Sequence, residues 1–389
     1  MKDARLLLVL AATFLLAAVP SLGQALGFQI TPDHAGFISM PSFQPPLQVK
    51  WTANFAGTAG YPIIIAGKVF AVDGGNGSSP STLYAIDAGT GATLWSQPVP
   101  AGYGGWVGFA YENGGLFGVV NDTPGVQSGA MFAFSAKDGH QVWSTELPGQ
   151  YLFTSAPTAR NGMVYTGGAG TGGTVYGVKE RNGQVVWTAA VENGDSSAPA
   201  VTSDGVYVSY ACPQTYRFDP KTGRQIWHFQ GECEGGGGES AAVYKGLVFV
   251  RDVFDFYTTD GIALNASDGS LAGGFNSIYS PAFADGYGIM TEGLTLSAVK
   301  IATGKIAWTA QPAAGNYACS PIIVNDVVYA PTTAGNLEAY AGKTGTKLDS
   351  VALGQTVSCG EYFNVPLEGM SAGDGLLVVA AGNTLVALQ

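Results

Sequence analysis

The chain has 389 residues, a length that suggests two or three domains unless internal repeats extend one of them. Only 12% of the residues are charged and 46% are hydrophobic, with 57 glycines and 20 prolines, which excludes a disordered chain and favours many short strands joined by tight turns. A net charge of −11 argues against binding to nucleic acid or to anionic membrane surfaces.

The first 25 residues have the features of a secretory signal peptide. Lys2 and Arg5 precede an apolar run from Leu6 to Val19, and Pro20 and small residues follow it. This run is short for a bilayer span, and no later segment is apolar for long enough to cross one. We therefore expect a signal peptide over 1–25, an N-terminal arm over 26–46 and a secreted or periplasmic protein without a membrane span.

A hairpin pattern then recurs along the chain. Its seven copies are LYAIDAGTGATLW (83–95), MFAFSAKDGHQVW (131–143), VYGVKERNGQVVW (175–187), TYRFDPKTGRQIW (215–227), GIALNASDGSLAG (261–273), LSAVKIATGKIAW (296–308) and LEAYAGKTGTKLD (337–349). Each copy has glycine at its ninth position, where a turn with positive φ is expected. The third position is usually small, and the last is Trp in five of seven.

A second turn precedes each hairpin, and most of its copies are Asn-Gly or Asp-Gly between apolar runs, as in Asn113-Gly114. Each unit therefore holds two hairpins, which predicts a four-stranded propeller blade. There are eight of these turns but seven hairpins, because the chain ends at NTLVALQ. Trp51 lies in the register of the missing strand, so residues 47–55 are expected to complete the last blade. The prediction is an all-β, eight-bladed propeller over 47–389.

The repeated tryptophans are interpreted as packing between blades. The set is Trp51, Trp95, Trp143, Trp187, Trp227 and Trp308. Each is expected to pack against the neighbouring blade over the small third-position residue and to bury on the order of 200 Å².

Four cysteines suit an oxidising compartment and form no CxxC motif. Cys212 and Cys233 are expected on the same face of neighbouring blades, and Cys319 and Cys359 at the entrances of consecutive innermost strands. We therefore predict the disulfides Cys212–Cys233 and Cys319–Cys359.

The repeat resembles the pyrroloquinoline-quinone (PQQ)-type β-propeller repeat over residues 47–389, most closely in DAGTGATLW and DPKTGRQIW. Gly273 and Asp349 depart from its Trp. The resemblance implies the fold but not the cofactor, since the superfamily includes quinone-dependent dehydrogenases and non-enzymatic outer-membrane assembly lipoproteins. The dehydrogenases carry adjacent cysteines and a calcium site, and neither can be matched here. The assembly lipoproteins carry a lipid-bearing Cys, which this chain lacks at its predicted cleavage point.

Because the chain has only three histidines, we expect neither an imidazole-based catalytic triad nor a multi-His metal site. In a propeller, the loops into the innermost strands and those between the second and third strands share the face at one mouth of the channel. The sequence places there an acidic rim (Asp73, Asp122, Asp195, Glu239, Asp252, Glu292, Glu361), relieved by Arg251, with aromatics between (Tyr103, Trp106, Tyr151, Tyr257, Tyr317). The candidate ligand-binding residues are Asp195, Glu239, Arg251, Asp252, Tyr257, Glu292 and Glu361. The alternative reading is a solvated loop surface.

The leading functional hypothesis is an exported, monomeric, non-catalytic propeller that binds a protein, peptide or glycan at the channel mouth and needs no cofactor. The alternative is an extracellular enzyme using the same face. It would be a carboxylate-based hydrolase or lyase, or a divergent quinone-dependent dehydrogenase with PQQ and calcium.

Overall fold

A computed structural model describes residues 23–74, 81–100, 106–121, 128–148, 156–167, 173–194, 197–232, 237–238, 240–253, 260–359 and 369–389. These residues form strands and turns, and the strands assemble into eight sheets. Seven sheets are built on antiparallel meanders of consecutive strands, one of which also carries the parallel strand β1, and the eighth joins the two ends of the described chain. The predicted all-β, eight-bladed propeller is therefore confirmed.

Two strands precede the blades, and each blade then runs from an innermost to an outermost strand. The first strands are β1 (Phe37–Ile38) and β2 (Val49–Asn54). Blades 1 to 4 comprise β3 (Ile63–Ile65), β4 (Lys68–Val72), β5 (Thr82–Asp87), β6 (Thr93–Pro98); β7 (Trp106–Glu112), β8 (Gly115–Asn121), β9 (Ser128–Ser135), β10 (Gln141–Pro148); β11 (Thr158–Arg160), β12 (Met163–Gly167), β13 (Thr174–Lys179), β14 (Val185–Ala190); and β15 (Ala200–Val201), β16 (Val206–Tyr210), β17 (Gln214–Phe218), β18 (Gln225–Gln230).

Blades 5 to 8 follow the same order. They comprise β19 (Gly237–Gly238), β20 (Ala242–Tyr244), β21 (Leu247–Val253), β22 (Asp260–Asn265), β23 (Leu271–Asn276); β24 (Ala282–Ala284), β25 (Tyr287–Glu292), β26 (Thr295–Lys300), β27 (Lys305–Ala310); β28 (Ile322–Val324), β29 (Val327–Pro331), β30 (Asn336–Ala341), β31 (Lys347–Ala352); and β32 (Met370–Gly373), β33 (Leu376–Ala381), β34 (Thr384–Leu388). In blade 5, β20 and the short β19 both pair with β21.

The ring closes through the N-terminal strand, as the sequence predicts. β2 pairs antiparallel with β34 and supplies the outermost strand of blade 8. Trp51 lies opposite Ala387, which confirms both the register and the small third-position partner. Closure in this way leaves blade 8 with the same four strands as the others, so no blade presents an incomplete sheet.

The six tryptophans pack between blades, as predicted, and the structure shows their second contact. Each indole ring lies against the turn glycine of the following blade, in the pairs Trp51–Gly91, Trp95–Gly139, Trp143–Gly183, Trp187–Gly223, Trp227–Gly269 and Trp308–Gly345. A Cβ on Gly91 would lie 2.8 Å from the Trp51 ring, and its φ of 75° also favours glycine. The conserved spacing within the repeat therefore serves both the turn and the indole that covers it.

Five of these indoles also donate their N–H to a backbone carbonyl of the same following hairpin. The bonds are Trp51 to Ala88, Trp143 to Glu180, Trp187 to Pro220, Trp227 to Ala266 and Trp308 to Gly342, at 2.7–3.0 Å. At Trp95 the equivalent carbonyl, that of Ala136, accepts instead from Lys68 Nζ at 3.1 Å. With the exception of Trp95, the described inter-blade indoles therefore have their N–H groups hydrogen-bonded in the same way.

The chain from Gly23 to Ile38, called the arm below, enters the channel, a path that the sequence did not reveal. It begins two residues inside the predicted signal peptide boundary and continues into the predicted arm. Its carbonyls accept from the innermost-strand backbone of blade after blade, in the bonds Asp374 N to Gly23, Tyr111 N to Leu26, Val201 N to Pro32, Val243 N to Asp33, Phe283 N to Ala35, Ile323 N to Gly36 and Asn325 N to Ile38, at 2.6–2.9 Å. Ala25 bridges to Ile64 of blade 1, and β1 pairs parallel with β28. The arm therefore occupies the inner sheet edges, whose backbone groups would otherwise lack a partner.

These contacts lie at one end of the channel. Each innermost-strand residue in them is within three positions of the first turn of its blade, such as Ala66-Gly67 in blade 1. In an antiparallel meander the first and third turns share a face, while the loops between the second and third strands lie on the opposite face. The arm therefore closes the channel on the first-turn face and leaves the predicted mouth on the other.

His34 is the buried polar centre of this arm. Its Nδ1 lies 2.9 Å from the Ala241 carbonyl in blade 5, and its Nε2 lies 3.3 Å from Thr158 Oγ1 in blade 3. The ring also packs edge-on against Phe28. Burial lowers the pKa of His34 from 6.5 to about 4, although the bond to Ala241 and nearby Asp33 oppose the shift. The imidazole is neutral at pH 7 and joins two blades through the arm.

We expect acid to weaken the fold through His34. Because its folded pKa is lowered, the unfolded chain takes up a proton first, so stability falls as the pH drops from about 6.5 towards 4. A pKa shift of this size corresponds to a loss of about 3 kcal/mol in the free energy of unfolding once the pH lies below the folded pKa. Urea unfolding between pH 7 and pH 4 should show a steeper loss for the wild-type chain than for His34→Gln. Parallel pH profiles for the two proteins would contradict this assignment.

Candidate functional site

The candidate site is the channel mouth, on the face opposite the arm. Of the predicted ligand-binding residues, Asp195, Glu239, Tyr257 and Glu361 lie outside the described residues, and Asp252 is described only as backbone in β21. Of the wider rim, Asp122, Tyr103 and Tyr151 are outside as well, and Trp106 is described only as backbone in β7. These assignments stay predictions. The described part of the mouth consists of the ends of the strands and the serines beneath the loops.

Arg251 is not an exposed rim charge, contrary to the expectation from sequence. It projects from β21 in blade 5 and is only 2% exposed. Its guanidinium donates to the Ile278 carbonyl and, at 3.3 Å, to Ser280 Oγ, both in the segment that leads into blade 6. Arg251 therefore ties two blades together under the mouth, which gives it a structural role whether or not it also contacts a ligand.

Of the two candidate residues whose side chains the structure describes, Arg251 and Glu292, the second is open to solvent. It ends β25 in blade 6 and pairs with Thr295 across the turn between the second and third strands. The turn itself is anchored, because Tyr317 N donates to the Gly293 carbonyl at 2.9 Å. Glu292 thus presents a carboxylate at the mouth from a well-held turn, as the sequence placed it.

Two other rim residues are buried rather than solvent-facing. Asp73 is 1% exposed, and its Oδ1 accepts from the Thr82 backbone N–H at 2.7 Å, which joins the end of β4 to the start of β5. Tyr317 is 2% exposed, and its hydroxyl lies 2.7 Å from that of Tyr340. The expectation that these two side chains line an exposed acidic-aromatic surface is therefore wrong.

Tyr317 belongs to a buried polar network in blade 7 that the sequence did not signal. The Tyr340 hydroxyl bonds to the fully buried Glu338 carboxylate, which also accepts from Lys347 Nζ and from Ala313 N. Burial alone would raise the pKa of Glu338, but the bonds from Lys347, Tyr340 and Ala313 outweigh it and lower the pKa. Burial raises the pKa of Tyr317 to about 12. The Glu338 carboxylate is therefore held ionised, and its hydrogen bonds are made by groups of the protein itself.

Serines in the segments that lead into the innermost strands hold the mouth together. Ser197 Oγ accepts from Ser209 N at 3.3 Å within blade 4. Ser240 Oγ accepts from Ala198 N at 2.9 Å and so joins the segments leading into blades 4 and 5. Together with the bond from Arg251 to Ser280, these serines connect the segments that lead into blades 4, 5 and 6 by hydrogen bonds.

One predicted disulfide is confirmed. Cys319 and Cys359 are joined, with their Cα atoms 5.0 Å apart, at the entrances to blades 7 and 8. Cys212 is also disulfide-bonded, while its predicted partner Cys233 lies outside the described residues. The Cys319–Cys359 disulfide thus links the mouth segments of blades 7 and 8 covalently.

Taken together, eight four-stranded blades with docked tryptophans define a propeller of the PQQ-like repeat class. The chain belongs to the family described as outer membrane protein assembly factor BamB, whose model matches residues 79–211 and 171–358. This bears out the resemblance read from the repeat.

Two curated relatives align with part of the chain. The tetrathionate hydrolase of Acidithiobacillus ferrooxidans is 26% identical over 186 residues, which are 44% of this chain and 35% of that protein. The outer membrane protein assembly factor BamB of Shewanella oneidensis is 25% identical over 170 residues, which are 42% of this chain and 36% of that protein. The alignments therefore span about a third of each relative's length.

Solved structures show the same fold at low identity. The quinohemoprotein alcohol dehydrogenase of Comamonas testosteroni superposes with a TM-score of 0.72 and 15% identity, over 94% of this chain and 80% of that one. BamB of Moraxella catarrhalis gives 0.65 and 13%, over 88% and 99%. A europium-containing methanol dehydrogenase gives 0.70 and 12%, over 94% and 98%. At these identities the likeness concerns the fold alone.

The described residues do not fit the quinone and metal that the dehydrogenases hold. Among them, no group of three or more His, Cys, Asp and Glu side chains is placed to ligate a metal ion. The bonded cysteines Cys319 and Cys359 are 40 residues apart rather than adjacent. The buried charges Arg251 and Glu338 are already paired within the protein. We therefore derive no chemical step through a quinone.

No helix in the part of the chain that the structure describes is long and apolar enough to cross a membrane.

Replacing Arg251 should reveal its structural role. Arg251→Ala removes the buried bonds to Ile278 and Ser280 and leaves both acceptors without that donor, so we expect a loss of about 2 to 4 kcal/mol in the free energy of unfolding. Glu292→Ala is the matched control on the exposed side of the same mouth and should change stability by less than about 0.5 kcal/mol. Urea denaturation measures both. Equal stability of the two variants would contradict the buried-clamp assignment.

Proposed function

We propose that this chain is an exported, monomeric propeller that acts as a non-catalytic binding protein, taking a protein, peptide or glycan at its channel mouth. The observation that carries the proposal is the path of the N-terminal arm, which contacts the inner strands near their first turns and closes that end of the channel. A ligand can then enter a concavity only from the mouth. Concave surfaces where several loops converge are the usual sites of ligand binding.

The properties of the mouth support a binding role. Arg251 and Glu338 are buried and paired, so neither is free to take part in acid–base chemistry on a ligand. Glu292 is exposed on an anchored turn, and the chain has a net charge of −11. We infer that the occupant offers hydrogen-bond donors or positive charge to carboxylates at this face, as basic peptides and polyhydroxylated glycans do. Membership of a family described by an assembly factor supports a protein or peptide ligand.

The proposal includes location. An apolar N-terminal segment preceded by Lys2 and Arg5, together with the Cys319–Cys359 disulfide, supports export to an oxidising compartment, outside the cell or in the periplasm.

Hydrolysis is the second candidate function, because a tetrathionate hydrolase is among the relatives that align with nearly half of this chain. In that case carboxylates at the same mouth, rather than imidazoles, would serve as acid or base. Incubating the purified protein with tetrathionate and following its loss tests this candidate directly. A parallel incubation with PQQ and calcium, followed by gel filtration, tests the quinone alternative through the absorbance that the protein retains.

We expect ligands of the mouth to depend on its carboxylates. A random-peptide display library and a glycan array should yield saturable ligands of the wild-type chain. Glu239→Gln with Glu292→Gln should weaken their binding at least about tenfold, because charge-assisted hydrogen bonds are lost. Asp285→Asn with Asp326→Asn makes the same change in charge on the first-turn face and should leave binding unchanged.

Three outcomes would contradict the proposal. They are ligands that bind both double variants equally, libraries that yield no saturable ligand, and turnover of tetrathionate by the wild-type protein that the Glu239 and Glu292 changes abolish.

A further inference from the structure

The junction between blades 5 and 6 lacks the tryptophan that fills the same position at six other junctions. Gly273 occupies the register of the missing Trp, opposite Ala263 in β22. No described atom lies within 4 Å of the point where a Gly273 side chain would begin. The repeat therefore leaves the outer part of this junction open.

The receiving side of the junction is nevertheless preserved. Gly304 is the turn glycine of blade 6 and keeps a φ of 66°, close to the 68–77° of its counterparts. No described atom lies within 4 Å of the position of its Cβ, and it is exposed, whereas the glycines covered by tryptophan are buried or half-buried. The Ile301 carbonyl stands at the position that accepts an indole N–H in five other blades, and no described residue donates to it.

The seventh hairpin departs from the repeat in a different way. Asp349 replaces Trp at the junction of blades 7 and 8, and its Oδ2 accepts from Leu47 N at 2.6 Å. That residue therefore holds the start of the ring-closing strand, and blade 8 has no hairpin turn to be covered, since β34 pairs with β2 instead of with a following strand. Gly273 has no comparable contact.

An exposed apolar side chain lies on the side of blade 6 that faces the open position. Ile306 on β27 pairs with Val299, on the face opposite that of Trp308, and is 62% exposed, the highest value among the large hydrophobic side chains in the described part of the chain. Leu271 on β23 is 61% exposed, but it pairs with Leu264 and so lies on the other face of blade 5 from Gly273, which pairs with Ala263. An exposed apolar group beside an unfilled packing position is typical of a surface that another molecule covers.

The inner part of the junction is packed without tryptophan. Phe249 and Phe283 lie 4.4 Å apart between ring centroids, Phe275 packs edge-on against Phe249, and the Ile301 side chain joins the same cluster. The two blades are therefore held together from the inside. What remains open is the outer recess that carries the turn glycine and the carbonyl.

We propose that this recess binds a tryptophan side chain presented by a partner polypeptide. The indoles of this chain show which group the geometry accepts: six flat rings lie over a turn glycine, and five of them donate their N–H to the carbonyl of the same turn. The recess continues an interface of that kind, and Ile306 offers an apolar contact to the chain that carries the inserted ring. The site lies at the outer edge of the propeller and is separate from the mouth.

N-acetyl-5-fluorotryptophanamide is a soluble probe for such a side chain, and its ¹⁹F resonance reports binding in the presence of the seven native tryptophans. We expect saturable line broadening with the wild-type protein. N-acetyl-4-fluorophenylalaninamide lacks the indole N–H and should bind about fivefold more weakly, since it loses one hydrogen bond.

Variants of the recess identify the site. Gly273→Trp fills it from within the chain, so it should abolish probe binding and raise the melting temperature. Ile306→Ser changes an exposed side chain of the recess and should weaken probe binding in a folded protein, whereas Leu271→Ser changes a side chain on the other face of blade 5 and should not. Val142→Ser removes an exposed apolar side chain from the outer strand of blade 2, beside a filled junction, and should have no effect on binding.

The proposal is overturned by wild-type protein that shows no saturable broadening, or by Gly273→Trp that is folded and still binds the probe. Tighter binding of free 5-fluoroindole than of the amide would also overturn it, because a small indole rather than a polypeptide would then be the preferred occupant. Monomer–dimer association that Gly273→Trp abolishes would assign the recess to a second copy of this chain instead of a partner.

Discussion

The whole ring depends on the antiparallel pairing of β2 with β34, because the first blade-forming strand and the last strand of the chain meet there. The joint is also tied to both neighbours. Trp51 of β2 covers Gly91 of blade 1 and bonds to Ala88, while Asp349 of blade 7 accepts from Leu47 just before β2. A single short segment thus connects three blades. A ring closed by backbone bonds and docked on both sides leaves no free sheet edge at which it would open.

The arm extends this constraint to the channel. Before reaching the outer edge of blade 8, the chain runs around the inner edges and accepts hydrogen bonds from their backbone N–H groups. The same contacts that satisfy these groups close one end of the channel, so the position of the functional face follows from closure. His34 shows the energetic consequence, since a neutral imidazole bonded to blades 3 and 5 is compatible with full burial and a charged one is not.

The sequence predicts the propeller well because its contacts repeat. Turn glycines, small third positions and tryptophans recur at fixed spacing, and each has one physical requirement that few residues meet. The arm escapes prediction because its bonds to Val201, Val243 and Phe283 are made by backbone atoms, which leave no pattern in the side chains. The exposure of the rim side chains is still harder to predict from sequence. Spacing places Asp73, Arg251 and Tyr317 at the mouth, but whether they face solvent depends on Thr82, Ile278 and Tyr340, which lie elsewhere in the chain or in another blade.

Departures from the repeat can be interpreted because six other junctions of the same chain keep the tryptophan and show its contacts. Asp349 and Gly273 both replace tryptophan in the same register, yet the first acquires a bond to the closing strand and the second acquires none. At the junction that carries Gly273, the turn of blade 6 keeps the glycine and φ that an indole requires, although no indole among the described side chains reaches it. A turn shaped for a ring that no described residue supplies, next to Ile306, the most exposed large apolar side chain among those described, is better explained by an external ring than by loss of the repeat alone. The propeller would then engage partners on two separate surfaces, the mouth and the outer edge.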